Sequence, residues 1–92
     1  MKRSSRTRSN RLPHKLLQIR LALNLSQGQL LARLGFADDL YRSNISQYEN
    51  GRRVPSPVVV LRYARVAGVS MEEIVDDKLN LPKVLPGKTR RP

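Results

Sequence analysis

A chain of 92 residues is long enough for one small domain, and without cysteine it can hold neither a disulfide framework nor a thiolate metal site. Its longest apolar run, Val58–Leu61, is far too short to span a bilayer, and the basic opening MKRSSRTRSNR has no apolar stretch behind it to make a secretory signal. The net charge of +11 is unevenly placed, with five basic residues in 1–11, five in 78–92, no acid in either segment, and a nearly neutral stretch between them.

Arms of this kind either meet a polyanion, nucleic acid or an anionic membrane, or serve only as solvated, disordered chain. The expectation is a soluble, intracellular protein in three parts: a flexible basic arm (1–11), a domain (12–77) and a Pro-containing basic tail (78–92).

After the arm, Leu12, Leu16, Ile19 and Leu23 recur at i, i+4, i+7 and i+11, one face of a helix over about 13–24. Pro13 suits its first turn, where an N–H is not needed. Ser26 and Gln29 form a capping-box signature for a second helix, with Leu30, Leu31 and Leu34 as its core stripe and Gly35 as its stop. A third helix is expected over about 40–50, with Tyr41, Ile45 and Tyr48 facing inward and Gly51 as its stop. Ser56-Pro57 opens a fourth, with Val60, Leu61, Ala64 and Ala67 buried and Gly68 at its end. Ser70 and Glu73 repeat the capping box for a short fifth helix over about 71–77, with Ile74 and Val75 inward.

Five helices, short connections and no strand pattern predict an all-α bundle. The tail KLNLPKVLPGKTRRP has three prolines and cannot extend a helix far. Its Leu79, Leu81, Val84 and Leu85 are too apolar for a linker, so it either packs back as an extended strap or binds a second copy.

Catalytic chemistry finds little footing. The single histidine, His14, lies in the first turn of the first helix as a surface residue. The acid pairs Glu72-Glu73 and Asp76-Asp77 suit solvation, or a partner such as Lys78, better than a metal. No nucleophile–base pair and no glycine-rich phosphate loop is present. No enzyme activity and no cofactor is expected.

The second and third helices form a better constellation. A short helix, a tight turn and a helix rich in groups for base edges make the helix-turn-helix arrangement. With Tyr41, Ile45 and Tyr48 inward, Arg42, Ser43, Ser46 and Gln47 fall on the other sides with Asn44 beside them. Arginine pairs with guanine O6/N7, and Asn or Gln with adenine N6/N7.

The motif ISQYENGRRVPS (45–56) resembles the end of the recognition helix in the Cro/C1-type (lambda-repressor-like, XRE) helix-turn-helix family. IRLALNLSQGQLLARLG (19–35) is similar to the family's first and second helices, and LRYARVAGVSMEEI (61–74) to its fourth and fifth. The resemblance covers about 12–77 and implies a five-helix, DNA-binding, repressor-type domain, usually a dimer, in the cytoplasm and nucleoid of a bacterial or phage-type system. It implies base contacts from Arg42, Ser43, Asn44 and Gln47. Phosphate contacts would come from Gln27 at the start of the second helix and from Asn50, Arg52 and Arg53. Arg20 and Glu49 would form a structural ion pair. The alternative is an antitoxin or adaptor on the same domain, binding a toxin or the transcription machinery through the apolar tail.

One departure stands out. GFADDLYRSNI, from Gly35 to Ile45, is about one helical turn longer than the family's usual turn. Either Asp38 or Asp39 caps a third helix lengthened at its N-terminus, which its strong capping preference favours, or the extra residues form a longer loop.

Overall fold

The structure is a computed structural model and describes residues 10–36 and 40–89. Six helices follow one another, with no strand among the described residues: α1 (Leu12–Ala22), α2 (Gln27–Leu34), α3 (Arg42–Glu49), α4 (Pro57–Ala67), α5 (Met71–Val75) and α6 (Pro86–Thr89).

Most helix starts are written locally. Ser26 Oγ accepts from Gln29 N at 3.1 Å while Gln29 Oε1 accepts from Ser26 N at 2.8 Å. Ser70 and Glu73 make the same reciprocal pair at 3.1 and 2.8 Å. Ser56 Oγ accepts from Val59 N at 3.3 Å ahead of Pro57 in the first turn of α4. Each side-chain cap is worth about 1 kcal/mol by satisfying an orphan N–H. Helices α1 and α3 differ, because their N-cap residues, Arg11 and Tyr41, make no side-chain cap bond.

The core forms where these helices meet. Leu16 and Ile19 of α1, Leu30 and Leu34 of α2, Ile45 of α3, Tyr63 of α4 and Ile74 of α5 are essentially inaccessible to solvent. Full burial of each such aliphatic side chain contributes about 1.5–3 kcal/mol. Helix α3 is held between α1 and α2, and α4 runs behind α2.

Several expected boundaries and faces shift. Helix α1 stops at Ala22, with Asn24 in the left-handed region at φ 59°. Helix α3 begins at Arg42, not 40, because Tyr41 is extended (φ −116°, ψ 162°). Tyr41 is therefore off the helical stripe and 76% exposed, instead of facing the core beside Ile45 and Tyr48. On α4, Val59 and Tyr63 fill the core while Leu61 is only half-buried. Helix α5 is one turn and a half long, and Val75 at its end is exposed.

Tyr41's backbone also decides against a helix lengthened to an aspartate cap. Asp38 and Asp39 themselves lie outside the described residues. On either side of that segment, Leu40 N donates to Phe36 O at 2.9 Å. Phe36 packs against the core with the Arg62 guanidinium 5.0 Å from its ring centroid. Arg62 also donates to Leu34 O at 3.0 Å, satisfying a carbonyl at the end of α2.

The tail returns to the domain. Leu85 is buried in the core, Leu81 is half-buried against it, and α6 lies on the C-terminal end of α4. Two glycines permit this approach. A Cβ on Gly68 would lie 2.7 Å from Gly87 N and 2.9 Å from Pro86 Cβ, and a Cβ on Gly87 would meet the Val66 carbonyl. Gly68 also needs its φ of 76° to end α4. The strap is thus more than extended chain: it ends in a sixth helix.

Candidate nucleic-acid interface

Ile45 and Tyr48 point α3 into the core, and the helical period then decides which residues face out. Arg42, Ser43 and Asn50 are exposed, while Ser46 and Gln47 are half-buried on the same outward side. The aliphatic stem of Arg42 crosses the first turn of α2 at Gly28, where an added Cβ would lie 3.2 Å from Arg42 Cδ. The two helices therefore present one surface, with α2's N-terminus beside Arg42.

Asn44 has a local duty. Its Oδ1 accepts from Tyr41 N at 2.9 Å, so the carbonyl end of this amide holds the start of α3. Arg52 and Arg53 follow the helix in an exposed loop whose shape is set by α3 itself. Gly51 takes φ 81°, Arg52 N donates to Gln47 O at 2.9 Å, and Asn50 Oδ1 accepts from Arg52 N at 3.1 Å.

The inner end of α3 is tied by charge. Arg20 Nε donates to Glu49 Oε2 at 2.6 Å and Arg20 Nη2 to Glu49 Oε1 at 3.0 Å, a bidentate pair. Its side chains are 15% and 7% exposed, so the pair is largely desolvated. The hydrogen bond to Glu49 raises the Arg20 pKa further above its ordinary value, with desolvation opposing. Arg20 Nη1 also donates to Leu25 O at 3.0 Å. Glu49 is the last residue of α3, where the helix dipole disfavours an acid, and Arg20 offsets this. Gln27 joins the group, donating from Nε2 to Glu49 Oε1 at 3.3 Å. A half-buried Gln27 is thus oriented from behind, at the N-terminus of α2.

A second polar cluster, at the other end of α1, was not singled out from the sequence. Lys15 is fully buried, and its Nζ donates to Glu73 O at 2.8 Å, Asp76 O at 2.8 Å and Leu79 O at 2.7 Å. Burial, with the neighbouring Arg11, lowers its pKa, while Asp77 and Asp76 act in the opposite direction. Asp77 receives the chain entering α1: its Oδ2 accepts from Asn10 N at 2.9 Å and its Oδ1 from Arg11 N at 3.0 Å. Arg11 Nη1 donates to Asp77 O at 2.7 Å and Leu79 O at 3.0 Å, and Nη2 to Asn80 Oδ1 at 2.7 Å. Residues 10 and 11, counted in the flexible arm by composition, are held by this cluster; residues 1–9 lie outside the described residues. A signal for Lys15 existed, since it sits in the same stripe as Leu12, Leu16 and Ile19.

Beside the start of α1 lies an apolar hollow of about 350 Å³ lined by Leu12, Pro13, Tyr48, Arg53, Val54 and Met71, among others. No group of three or more His, Cys, Asp or Glu side chains among the described residues is placed to hold a metal ion. No helix among them is long and apolar enough to cross a membrane.

A helix seated in the turn after α2, its polar side outward and two arginines in the loop behind it, defines a helix-turn-helix domain. Residues 16–74 match the model of the HTH_3 family, described as helix-turn-helix, and the chain belongs to this Cro/C1-type family. The family is one of DNA-binding domains typical of transcription regulators and is not known for enzymes. No curated protein and no solved structure gives a match to the chain.

Proposed function

We propose that this domain reads a specific double-stranded DNA sequence and regulates transcription as a repressor-type, dimeric protein of the cytoplasm and nucleoid. One observation carries the reading: α3 is anchored by Ile45, Tyr48 and the Arg20–Glu49 pair while its outward side carries Arg42, Ser43 and Gln47. Those three, with the amide nitrogen end of Asn44, are the base-reading set. Gln27, Asn50, Arg52 and Arg53 flank them and hold phosphates, with the N–H groups at the start of α2 adding to the anion site.

For the dimer, a second copy seats on the exposed Val54, Val58 and Val75 and the adjoining apolar hollow. For the antitoxin or adaptor reading, Leu81 and Leu85 of the tail pack on their own domain, while Leu79 and Val84 stay exposed.

The test is selection of bound DNA from a random pool. A palindromic consensus supports base reading and two-fold symmetry together, and the absence of any enriched sequence overturns the proposal. On the selected site, Gln47→Ala should cost about 1–3 kcal/mol and relax one base position. Equal losses on selected and random DNA would remove Gln47 from the readers.

A further inference from the structure

We infer that Asp77, on the segment that follows α5, is a positioning residue that aims the basic N-terminal segment at DNA. The inference rests on the DNA-binding reading above.

The geometry begins with a helix lacking its own cap. Arg11, at the N-cap of α1, supplies no side-chain bond to the first turn. Both oxygens of Asp77 instead take the N–H groups of Asn10 and Arg11, at 2.9 and 3.0 Å, from 66–67 residues away in sequence. The Arg11 guanidinium closes the other side of the clamp on the carbonyls of Asp77 and Leu79 and on Asn80 Oδ1. Five hydrogen bonds therefore set where and in which direction the chain leaves the domain at residue 10.

That exit is beside the phosphate-contacting loop. Pro13 Cγ lies 3.5 Å from where a Cβ on Gly51 would stand, and Gly51 immediately precedes Arg52 and Arg53. Pro13 and Arg53 line the same hollow. Lys2, Arg3, Arg6 and Arg8 lie within eight residues of Asn10. Eight extended residues reach roughly 27 Å, enough to follow a neighbouring stretch of DNA backbone. A tether with its origin fixed beside Arg52 and Arg53 keeps these cations at high local concentration over the phosphates. The other basic segment begins at Lys78, next to Asp77, but runs on to α6, which sits on the C-terminal end of α4, while the loop of Arg52 and Arg53 leads into the N-terminal end of α4.

Simple electrostatics and positioning predict opposite signs for one substitution. Asp77→Asn deletes a negative charge, which by itself strengthens binding to a polyanion. If Asp77 aims the arm, Asp77→Asn weakens it, because an amide has one acceptor oxygen for two N–H groups. The experiment measures affinity for a DNA that the wild-type chain binds, across a salt series. It compares the full chain with a chain lacking residues 2–9, each with and without Asp77→Asn. Arg11→Gln serves as a second variant on the other side of the clamp, and thermal melts check that every protein is folded.

The expected result is a several-fold loss for Asp77→Asn in the full chain, with a salt slope shallower by about one. Without residues 2–9 the substitution should have no weakening effect. Unchanged or tighter binding in the full chain overturns the inference. So does an equal loss in both backgrounds, which would make Asp77 only a cap for α1. A wild-type chain without salt-dependent affinity for DNA would overturn the proposed function as well; normal wild-type binding with an indifferent Asp77→Asn overturns the clamp alone.

Discussion

Helix α1 buries two cations five residues apart, and the domain treats them in opposite ways. Arg20 meets a carboxylate on α3 through two near-parallel hydrogen bonds. The Lys15 ammonium donates instead to three backbone carbonyls at and beyond the end of α5. The chemistry of each head group explains the division. The planar guanidinium fork matches a carboxylate, whereas an ammonium has three donors for three converging oxygens. The Lys15 site also lies at a helix C-terminus, where the dipole favours positive charge. One cation thus fastens α3, and the other fastens the segment that carries Asp77. Buried charge here serves to fix the relative placement of elements.

The largest effect is expected at Glu49. Glu49→Ala leaves Arg20 desolvated without its partner and should lower unfolding free energy by on the order of 3 kcal/mol. A thermal melt superimposable on wild type would reject a structural role for the pair. Lys15→Met keeps the volume but strands three carbonyls, so a loss of about 2 kcal/mol is expected in urea unfolding. A Lys15→Met protein as unstable as Glu49→Ala would show that the two sites carry equal weight.

Charge-preserving swaps sharpen the contrast. Arg20→Lys should cost about 1 kcal/mol through loss of the bidentate fork. Lys15→Arg should cost more than that, because a larger planar group has to enter a closed site. Reversal of this order in parallel denaturant titrations would refute the geometric account.

The smallest effect concerns Tyr63, whose hydroxyl is buried with no hydrogen-bond partner among the described residues. Tyr63→Phe should raise stability by up to about 1 kcal/mol, since it removes a desolvated group that has no compensating bond. Burial, with Glu49 and Tyr48 nearby, raises the Tyr63 pKa, and burial raises that of Tyr48. The folded state therefore keeps both protons after the unfolded chain releases its own near pH 10. Stability should fall as pH rises through and above about 10. In a Tyr41→Phe background, phenolate absorbance should appear together with loss of helix; phenolate forming in the intact fold would contradict this.

Much of the fold was legible because its signals are local. Ser26–Gln29, Ser56–Pro57 and Ser70–Glu73 mark helix starts within four residues of themselves, and Gly35, Gly51 and Gly68 mark stops through their left-handed backbone. Periodicity placed Leu16, Ile19, Leu30, Leu34 and Ile45 in the core. It failed at Tyr41, whose extended backbone makes it the N-cap and leaves it outside α3. Periodicity cannot count a residue out of a helix that it assumes continues. Val75 failed for a related reason: α5 ends before its second turn is complete, so the apolar residue at its edge has no facing element.

Among the candidate contact residues, sequence pattern put Arg42, Ser43 and Gln47 on the outward side, since anchoring by Ile45 and Tyr48 leaves them nowhere else to point. It could not show that Asn44 would give its oxygen to Tyr41 N, or that Gln27 would donate to Glu49. Each of those bonds depends on chain geometry beyond the helical repeat.

By itself, then, the sequence determined the all-helical class, most element starts and stops, the helix-turn-helix order and the segregation of basic charge into the terminal segments. Those properties follow from backbone preferences and from patterns a few residues long. Tertiary structure alone decided that Lys15 is buried, that Asp77 receives the start of α1 and that Leu85 and α6 complete the core. Each joins residues about sixty apart in the chain or relies on two backbones approaching closely, as at Gly68 and Gly87. Local propensity carries no information about such meetings; packing the helices together creates them.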